Sequence, residues 1–183
     1  LKILENFKNK KILVVGDIML DKYIWGYVSR ISPEAPVQVV HVQKETYAPG
    51  GASNVASNIA ALNGKAFTVG IAGNDEAKNI LLQELKDRSI NTDGIFIDND
   101  KPTIQKVRIV GRSQQLLRVD YEKKDHVHKD IENSMIKFFK NTIKHMDIVV
   151  ISDYSKGVIT PEISQRLIQI SKEHNKAIIV DPK

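Results

Sequence analysis

The feature that most constrains the fold of this chain is a pair of adjacent glycines, Gly50 and Gly51. They follow Pro49 and precede a segment able to form one helix, residues 52–62. Glycines are unfavourable inside helices and common in turns, so the pair predicts a turn that opens onto a helix N-terminus. The free N–H groups of a first helical turn can bind ligand oxygens. An ordinary amphipathic helix after a glycine turn explains this window equally well.

The helix predicted for residues 52–62 has two different faces. Asn54 and Asn58 are four residues apart and therefore lie on the same face, whereas Val55, Ile59 and Leu62 form an apolar stripe. We expect the stripe to pack on a sheet and the amide side chains to face a ligand.

Composition indicates a single globular domain. Of 183 residues, 42% are hydrophobic and 27% are charged. No cysteine is present, which excludes disulfides, thiol catalysis and Cys-based metal sites. No apolar run approaches the ~20 residues of a membrane span, and the charged, mixed residues 1–11 do not resemble a signal peptide. We therefore expect no membrane contact and a cytoplasmic location.

The formal charge of +5 suits either a nucleic acid or a small anionic substrate. Lys137, Lys140 and Lys144 share one face of a predicted helix, but Asp130 and Glu132 lie nearby and only 6% of the residues are aromatic. A solvated helix face is the better interpretation. We predict no nucleic-acid partner and favour an anionic small molecule.

Buried parallel strands are predicted at residues 11–15, 66–72, 147–151 and 177–180, with a further short strand at 94–97. Helices are predicted between them at 75–88, 131–145 and 160–174. Ligands of such folds bind beyond the carboxyl ends of the strands, so Asp17, the glycine turn and residues 152–157 should converge on one rim. Asp17 and Asp21 at this edge could hold hydroxyls or a metal, but Asp17 can equally cap a turn and Asp21 can equally be solvated, so this pattern alone assigns neither residue a function.

Two segments, residues 23–43 and 103–121, interrupt the alternation of strands and helices. Both contain extended runs without a helical period. In residues 23–43 these predict short strands joined by a proline-stiffened loop, and in the second segment residues 111–114 carry a hairpin signal. Because each alone would leave strand edges exposed, we expect them to form one small sheet that acts as a lid. Arg108, Arg112 and Arg118 lie on it, and arginine suits phosphate binding, although exposed arginines on hairpins are more often simply solvated.

Familiar metal and nucleophile motifs are missing from the sequence. The histidines His41, His126, His128, His145 and His174 have neither i, i+4 pairing nor the carboxylate spacing of a metal site, so none is assigned as a ligand. There is also no Gly-x-Ser-x-Gly elbow and no phosphate-binding Gly-Lys-Thr loop. These absences disfavour a hydrolase and a P-loop kinase.

Several motifs together resemble the ribokinase/PfkB-type carbohydrate kinases. The general likeness rests on Gly16-Asp17 through Asp21, and on Gly50-Gly51 with Asn54 and Ala56. A narrower likeness, to the heptose 7-phosphate kinases of lipopolysaccharide synthesis, covers nearly the whole chain. It rests on residues 30–37 (RISPEAPV), 114–120 (QQLLRVD), 152–157 (SDYSKG) and 180–183 (VDPK).

The resemblance implies an α/β, Rossmann-like ribokinase fold in which a mostly parallel sheet is flanked by helices and carries a small β-sheet lid. Residues 1–183 would be the N-terminal part of one such domain. It also implies ATP- and Mg²⁺-dependent transfer of phosphate to a sugar hydroxyl. Independently of the resemblance, the strand edges of the lid lead us to expect a homodimer formed through the lid. The heptose 7-phosphate kinases act on the anomeric hydroxyl of D-glycero-β-D-manno-heptose 7-phosphate.

The site residues implied by the resemblance fall into three groups. Asp21, Gly50, Gly51 and Asn54 match sugar-binding positions. Because the heptose carries a phosphate, a basic anchor is needed, and the candidates are Arg112, Arg118 and Lys156. Asp181 and Lys183 match a network around Mg²⁺ and phosphate.

The chain also departs from the family pattern. Asn63 occupies a position where relatives have a small residue, and we expect only a local adjustment because asparagine tolerates left-handed geometry. More seriously, the Gly-x-Gly-Asp loop that carries the catalytic aspartate is absent, so we assign no catalytic residue and expect a fragment of a longer enzyme. The alternatives are another ribokinase-type sugar kinase, a non-catalytic sugar-binding module, or a dinucleotide-binding oxidoreductase domain. The last requires a Gly-x-Gly-x-x-Gly motif after the first strand, and Gly16-Asp17-Ile18 does not supply it.

Overall fold

The computed structural model describes residues 2–112 and 114–182, which contain five α-helices and nine β-strands. The helices are α1 (Lys2–Phe7), α2 (Ala52–Ala61), α3 (Glu76–Asp87), α4 (Lys129–Thr142) and α5 (Pro161–Glu173), and a 3₁₀ turn (Ile143–His145) follows α4. The strands are β1 (Lys11–Gly16), β2 (Ile18–Ile31), β3 (Gln38–Gly51), β4 (Lys65–Gly73), β5 (Asn91–Asp98), β6 (Gln105–Gly111), β7 (Gln114–Tyr121), β8 (Ile148–Ser152) and β9 (Ala177–Asp181).

The larger sheet is wholly parallel, in the order β5-β4-β1-β8-β9. Its central strand β1 is buried on both faces, which is why its sequence is a continuous apolar run. Leu13 and Val15 pack into a core with α4 and α5, whereas Ile12 and Val14 pack into a second core with α2 and α3. The four main predicted strands are confirmed to within one residue, and the predicted short strand 94–97 begins three residues earlier, at Asn91.

The second sheet is smaller and has the order β3-β2-β6-β7. β2 pairs with β3 and β6 pairs with β7 in antiparallel fashion, while β2 and β6 are parallel. The prediction that the two interrupting segments share one sheet is confirmed. The expectation of short strands at residues 23–43 was wrong, because β2 and β3 have 14 residues each. Their antiparallel pairing continues across irregularities near Gly26 and ends at the pair Ile18–Gly51, beside β1.

Helix α2 begins directly after Gly51, as predicted, but its buried face differs from the expected stripe. The buried side chains are Ala52, Ser53, Ala56 and Ile59, whereas Leu62 is 45% exposed and lies beyond the helix. Small residues on this face let the helix approach the sheet closely. The chain turns after the helix through Asn63, whose φ of 63° is left-handed, so the expected local adjustment is confirmed.

The other helices begin and end near their predicted residues. Thr160 caps α5, because its hydroxyl accepts a hydrogen bond from the N–H of Ile163 (3.1 Å), and Pro161 occupies the first helical position. Lys137, Lys140 and Lys144 are exposed, consistent with a solvated helix face. None of the helices in the described part of the chain has the length and apolar character needed to cross a membrane.

Candidate active site

Asp17, between β1 and β2, is fully buried and connects three segments of the chain (0% exposed). Its carboxylate accepts hydrogen bonds from three backbone N–H groups, those of Tyr154 (2.8 Å), Lys156 (3.2 Å) and Val158 (3.2 Å). Its carbonyl oxygen accepts one from the N–H of Ala52 (2.9 Å), the first residue of α2. One side chain therefore fixes the loop after β8 beside the start of α2.

The electrostatic state of Asp17 reflects two opposing effects. Its pKa is raised above the usual value because burial disfavours the ionised carboxylate, although the three N–H donors oppose this rise. The negative charge of Asp153 raises the pKa further. Both carboxylate oxygens are used within the protein, so the structure favours a structural role for Asp17 over direct contact with a ligand.

Asp21 lies within β2 rather than in the loop after β1, and so belongs to the small sheet. Its Oδ1 accepts a hydrogen bond from Arg108 Nη1 (2.6 Å), and both side chains are about one fifth exposed. The guanidinium of Arg108 also lies 5.2 Å from the centre of the Tyr23 ring. Asp21 is therefore oriented by Arg108, and Oδ2 lies on the side of Gly50.

Both glycines of the Gly50–Gly51 pair make close contacts within the protein, and those of Gly51 leave no room for a side chain. A Cβ atom at Gly50 would lie 2.8 Å from Asp21 Oδ2, and one at Gly51 would collide with the carbonyl oxygen of Asp17. Gly51 also has a positive φ of 55°. The pair thus allows strand β3 to pass close to both aspartates, a reason that the sequence pattern did not reveal.

One side of the small sheet is polar, and we define this polar face as Asp21, Tyr23, Lys106, Arg108, Arg118 and Asp120. Lys106 lies opposite both Asp21 and Asp120 in register, and Arg108 lies opposite both Tyr23 and Arg118. The other side carries Lys22 and Tyr47, which line a cavity of about 380 Å³ shared with residues of α3. The polar face therefore points away from α3.

A chain of alternating charges connects the polar face to the loop after β8. Asp120 binds Arg118 (Nε to Oδ1, 2.8 Å) and Lys106 (Nζ to Oδ2, 3.2 Å). Glu122, just after β7, lies 2.6 Å from the ammonium of Lys156 and 4.0 Å from that of Lys106. The contact with Lys156 lowers the pKa of Glu122. Arg118 and Lys156 thus lie at the two ends of one charge network.

The third anchor candidate, Arg112, is placed elsewhere. It forms the turn between β6 and β7 with a φ of 48°, and it lines a separate cavity of about 220 Å³ together with Val28 and Gln38. This turn is five residues further along β6 than Lys106, a distance of about 16 Å. The structure therefore brings Arg118 and Lys156 into one network and leaves Arg112 apart from them.

The remaining candidates lie on the rim of the larger sheet. Asn54 is exposed in the first turn of α2. Asp181 is exposed at the end of β9, where its carbonyl oxygen accepts a hydrogen bond from the N–H of Asp153 (3.1 Å). Lys183 lies outside the described residues.

Arg108 is the site residue that sequence reasoning missed. It was placed on the lid but not selected as a binding residue, because nothing local distinguishes it from its neighbours. The sequence did offer one signal, since charged residues alternate with apolar ones in both strands, at Lys106 and Arg108 in β6 and at Arg118 and Asp120 in β7. Only the strand register shows that these four side chains share a face.

Comparison with known proteins agrees with this arrangement of two sheets. The model of the pfkB family carbohydrate kinases matches residues 9–183. The chain belongs to this family. Family membership makes it a carbohydrate kinase domain, and it implies the use of ATP.

Several relatives with high identity are named bifunctional protein HldE. The protein from Desulfatibacillum aliphaticivorans is 44% identical over 177 residues, which is 97% of this chain and 36% of the relative. That from Wolinella succinogenes is 44% identical over 181 residues, 99% of this chain and 38% of the relative. The chain therefore spans well under half the length of these relatives, and it matches their kinase module.

Solved structures confirm the ribokinase-like fold. A carbohydrate kinase from Agrobacterium tumefaciens superposes with a TM-score of 0.70 at 17% identity, covering 93% of this chain and 53% of that one. Arabidopsis thaliana ribokinase in complex with ribose and ATP gives a TM-score of 0.64 at 17% identity, covering 94% and 53%. At such identities the likeness supports the fold alone.

We predict that Asp17→Asn destabilises the protein by about 1–3 kcal/mol, because an amide has one acceptor oxygen and leaves at least one buried N–H unpaired. The effect should also depend on pH. Since the folded-state pKa of Asp17 is raised, its contribution to stability is present at low pH and is lost as pH rises from 3.8 through the folded pKa. The variant should therefore lose more stability, relative to wild type, at acidic than at neutral pH.

Urea unfolding of both proteins across this pH range measures the effect. Asp93→Asn is the control, since this exposed carboxylate on β5 accepts a local hydrogen bond from the side chain of Asn91 and does not contribute to the pKa of Asp17. Equal stability of Asp17→Asn and wild type at every pH would contradict the role assigned to Asp17.

Proposed function

We propose that this chain is the sugar-binding part of an ATP-dependent kinase that phosphorylates D-glycero-β-D-manno-heptose 7-phosphate at its anomeric hydroxyl, on the route to ADP-heptose and the lipopolysaccharide core. The observation that carries this proposal is the 44% identity to bifunctional HldE proteins over 97–99% of the chain. The alternatives are another sugar kinase of the same family and a non-catalytic sugar-binding module.

Asp21 is the best-placed acceptor for sugar hydroxyls. Arg108 occupies Oδ1 and orients the carboxylate, so Oδ2 is the oxygen available to a ligand beside Gly50. We propose that Gly50, Gly51 and Asn54 complete this subsite, with the amide of Asn54 at the exposed start of α2. Such fixed donors and acceptors bind a sugar without first being reorganised.

The charge network suits the phosphate group of the substrate. The polar face carries Lys106, Arg108 and Arg118 against Asp21 and Asp120, a net charge of +1. Arg118 is half exposed, so it can turn from Asp120 to a phosphate, whereas Lys156 is 8% exposed and would have to exchange Glu122 for the ligand. Among the three candidates we therefore favour Arg118 as the anchor, then Lys156, then Arg112.

The nucleotide is proposed to bind at the rim of the larger sheet, on the side of β9. Bound ATP would supply the phosphoryl group, and Mg²⁺ would neutralise the negative charge of its phosphates. Carboxylate oxygens are suitable ligands for Mg²⁺, and Asp181 presents an exposed carboxylate there, whereas both oxygens of Asp17 are already in use. We propose that Asp181 and Lys183 contribute to the network around Mg²⁺ and phosphate, and that the catalytic base lies in sequence beyond this chain.

We predict that Arg118→Ala raises the KM for the 7-phosphorylated heptose by about 10–100-fold, because a charge-assisted hydrogen bond contributes about 1.5–3 kcal/mol. The KM for the unphosphorylated heptose should change little. Lys156→Ala and Arg112→Ala test the other two candidates, and Arg166→Ala, an exposed arginine on α5, is the control. Steady-state kinetics of the full-length enzyme provides the values, and wild-type kinetics in all three variants would place the anchor elsewhere.

We predict that residues 1–183 alone transfer no phosphate, since the base and most of the nucleotide site would be missing. Losing about 3 kcal/mol from each of two such effects slows a reaction by roughly four orders of magnitude. ADP release by the purified fragment, compared with the full-length enzyme, measures this. Turnover within tenfold of full length would contradict the prediction and would direct attention to Asp17, Asp153 and Asp181 as bases.

We propose that the protein forms a homodimer through the small sheet, which we regard as its lid. The side of β7 opposite the polar face carries exposed Leu117, Val119 and Tyr121, and exposed apolar strands at a sheet edge favour association. Leu117→Lys should therefore yield monomers in sedimentation velocity, whereas Leu62→Lys, an exposed leucine outside the sheet, should not. A monomeric wild type, or a dimer that tolerates Leu117→Lys, would contradict this.

A further inference from the structure

Three potential metal ligands that are distant in sequence meet at one point of the structure. Asp98 ends β5, Asp100 lies in the following turn, and His128 lies directly before α4. One ligand atom from each side chain lies within 4.8 Å of the other two. Sequence spacing gave no reason to assign His128 as a ligand, because its partners are about 30 residues away.

The buried member of this cluster lacks a partner. Asp98 is 1% exposed, and its Oδ1 accepts a hydrogen bond from the N–H of Asp100 (2.9 Å). Its Oδ2 is also buried and has no hydrogen-bond partner within residues 2–112 and 114–182. A buried carboxylate oxygen without a partner is costly, so this atom independently indicates a missing cation.

The other two side chains are arranged so that they can share a cation with Asp98. His128 Nε2 lies 3.1 Å from Asp100 Oδ2. Two tetrahedral ligands at about 2.0 Å from one Zn²⁺ ion are about 3.3 Å apart, so this spacing lies within a few tenths of an ångström of neighbouring positions of such a shell. The imidazole of His128 does not cap α4, although His128 occupies the cap position.

Lys101 is the competing cation at this place. Its ammonium donates to the carbonyl oxygen of Asp125 rather than to Asp98. The pKa of Lys101 is lowered because burial disfavours its charge, while the nearby negative charge of Asp98 opposes this. Lys101 therefore offsets part of the charge of Asp98 without satisfying its free oxygen.

We propose that Asp98, Asp100 and His128 bind one Zn²⁺ ion that joins the end of β5 to the start of α4. An imidazole with two carboxylates suits Zn²⁺ better than Mg²⁺, which prefers oxygen ligands alone. Three protein ligands leave room for water in the remaining position. Since Zn²⁺ would bind the folded chain and hold two separate segments, it stabilises the protein.

Calorimetric titration of the EDTA-treated full-length protein with ZnCl₂ tests the proposal. Variants of two neighbouring exposed histidines distinguish binding at this site from zinc binding elsewhere on the protein. His128→Gln should weaken one binding event at least tenfold, whereas His126→Gln, two residues away, should leave it within twofold. Asp100→Asn should match His128→Gln. Zn²⁺ should raise the melting temperature of wild type and His126→Gln more than that of His128→Gln.

Cobalt provides an independent signature, because Co²⁺ bound at this place should give a visible d–d absorption that is lost in His128→Gln. The variant Asp98→Asn is a further test if the protein folds with it, but the experiment does not depend on this buried position. Identical Zn²⁺ binding by wild type and His128→Gln would overturn the proposal. The proposal would also be overturned if millimolar Mg²⁺ displaced Zn²⁺ to the same extent from wild type and from His128→Gln.

Discussion

The buried carboxylate of Asp17 is the interaction on which the candidate site depends. Three backbone N–H groups of the loop after β8 are removed from water and need acceptors, and Asp17 supplies both oxygens to them. Its own carbonyl binds the first N–H of α2, for which Gly51 must lack a side chain. The position of Lys156, the start of α2 and the passage of β3 are therefore all set by one residue, despite the cost of burying its charge.

The small sheet is attached to this rim in two ways. Covalently, β2 begins and β3 ends beside Asp17, so the polar side chains nearest that junction, such as Asp21, have little freedom. Electrostatically, Glu122 pairs with the buried Lys156, and the charge network extends from Glu122 through Lys106 and Asp120 to Arg118. Partly buried pairs are screened less by salt than exposed ones, so this network can hold the polar face toward a ligand. An anionic sugar would replace part of these internal contacts with its own.

The candidate site was only partly predictable from sequence. Asp21 and the glycine pair were assigned to sugar binding by resemblance, and this stays a prediction. The structure adds that Gly50 lies directly beside the carboxylate of Asp21. Arg112 and Arg118 are equivalent by residue type and lie on adjoining segments, but the hairpin register places Arg118 opposite Arg108 on the polar face and leaves Arg112 in the turn beyond it. Arg108 and its hydrogen bond to Asp21 bridge 87 residues and have no local signal.

The sequence by itself determined the features that depend on neighbouring residues. Continuous apolar runs specified the parallel strands, Thr160-Pro161 specified the start of α5, and Asn63 accepted a left-handed turn. Only the tertiary structure decided the partners of Asp17, the register of the small sheet, and the meeting of Asp98 with His128. The physical reason is that these contacts join residues far apart in the chain, and their geometry follows from how the sheets and helices pack rather than from any local preference.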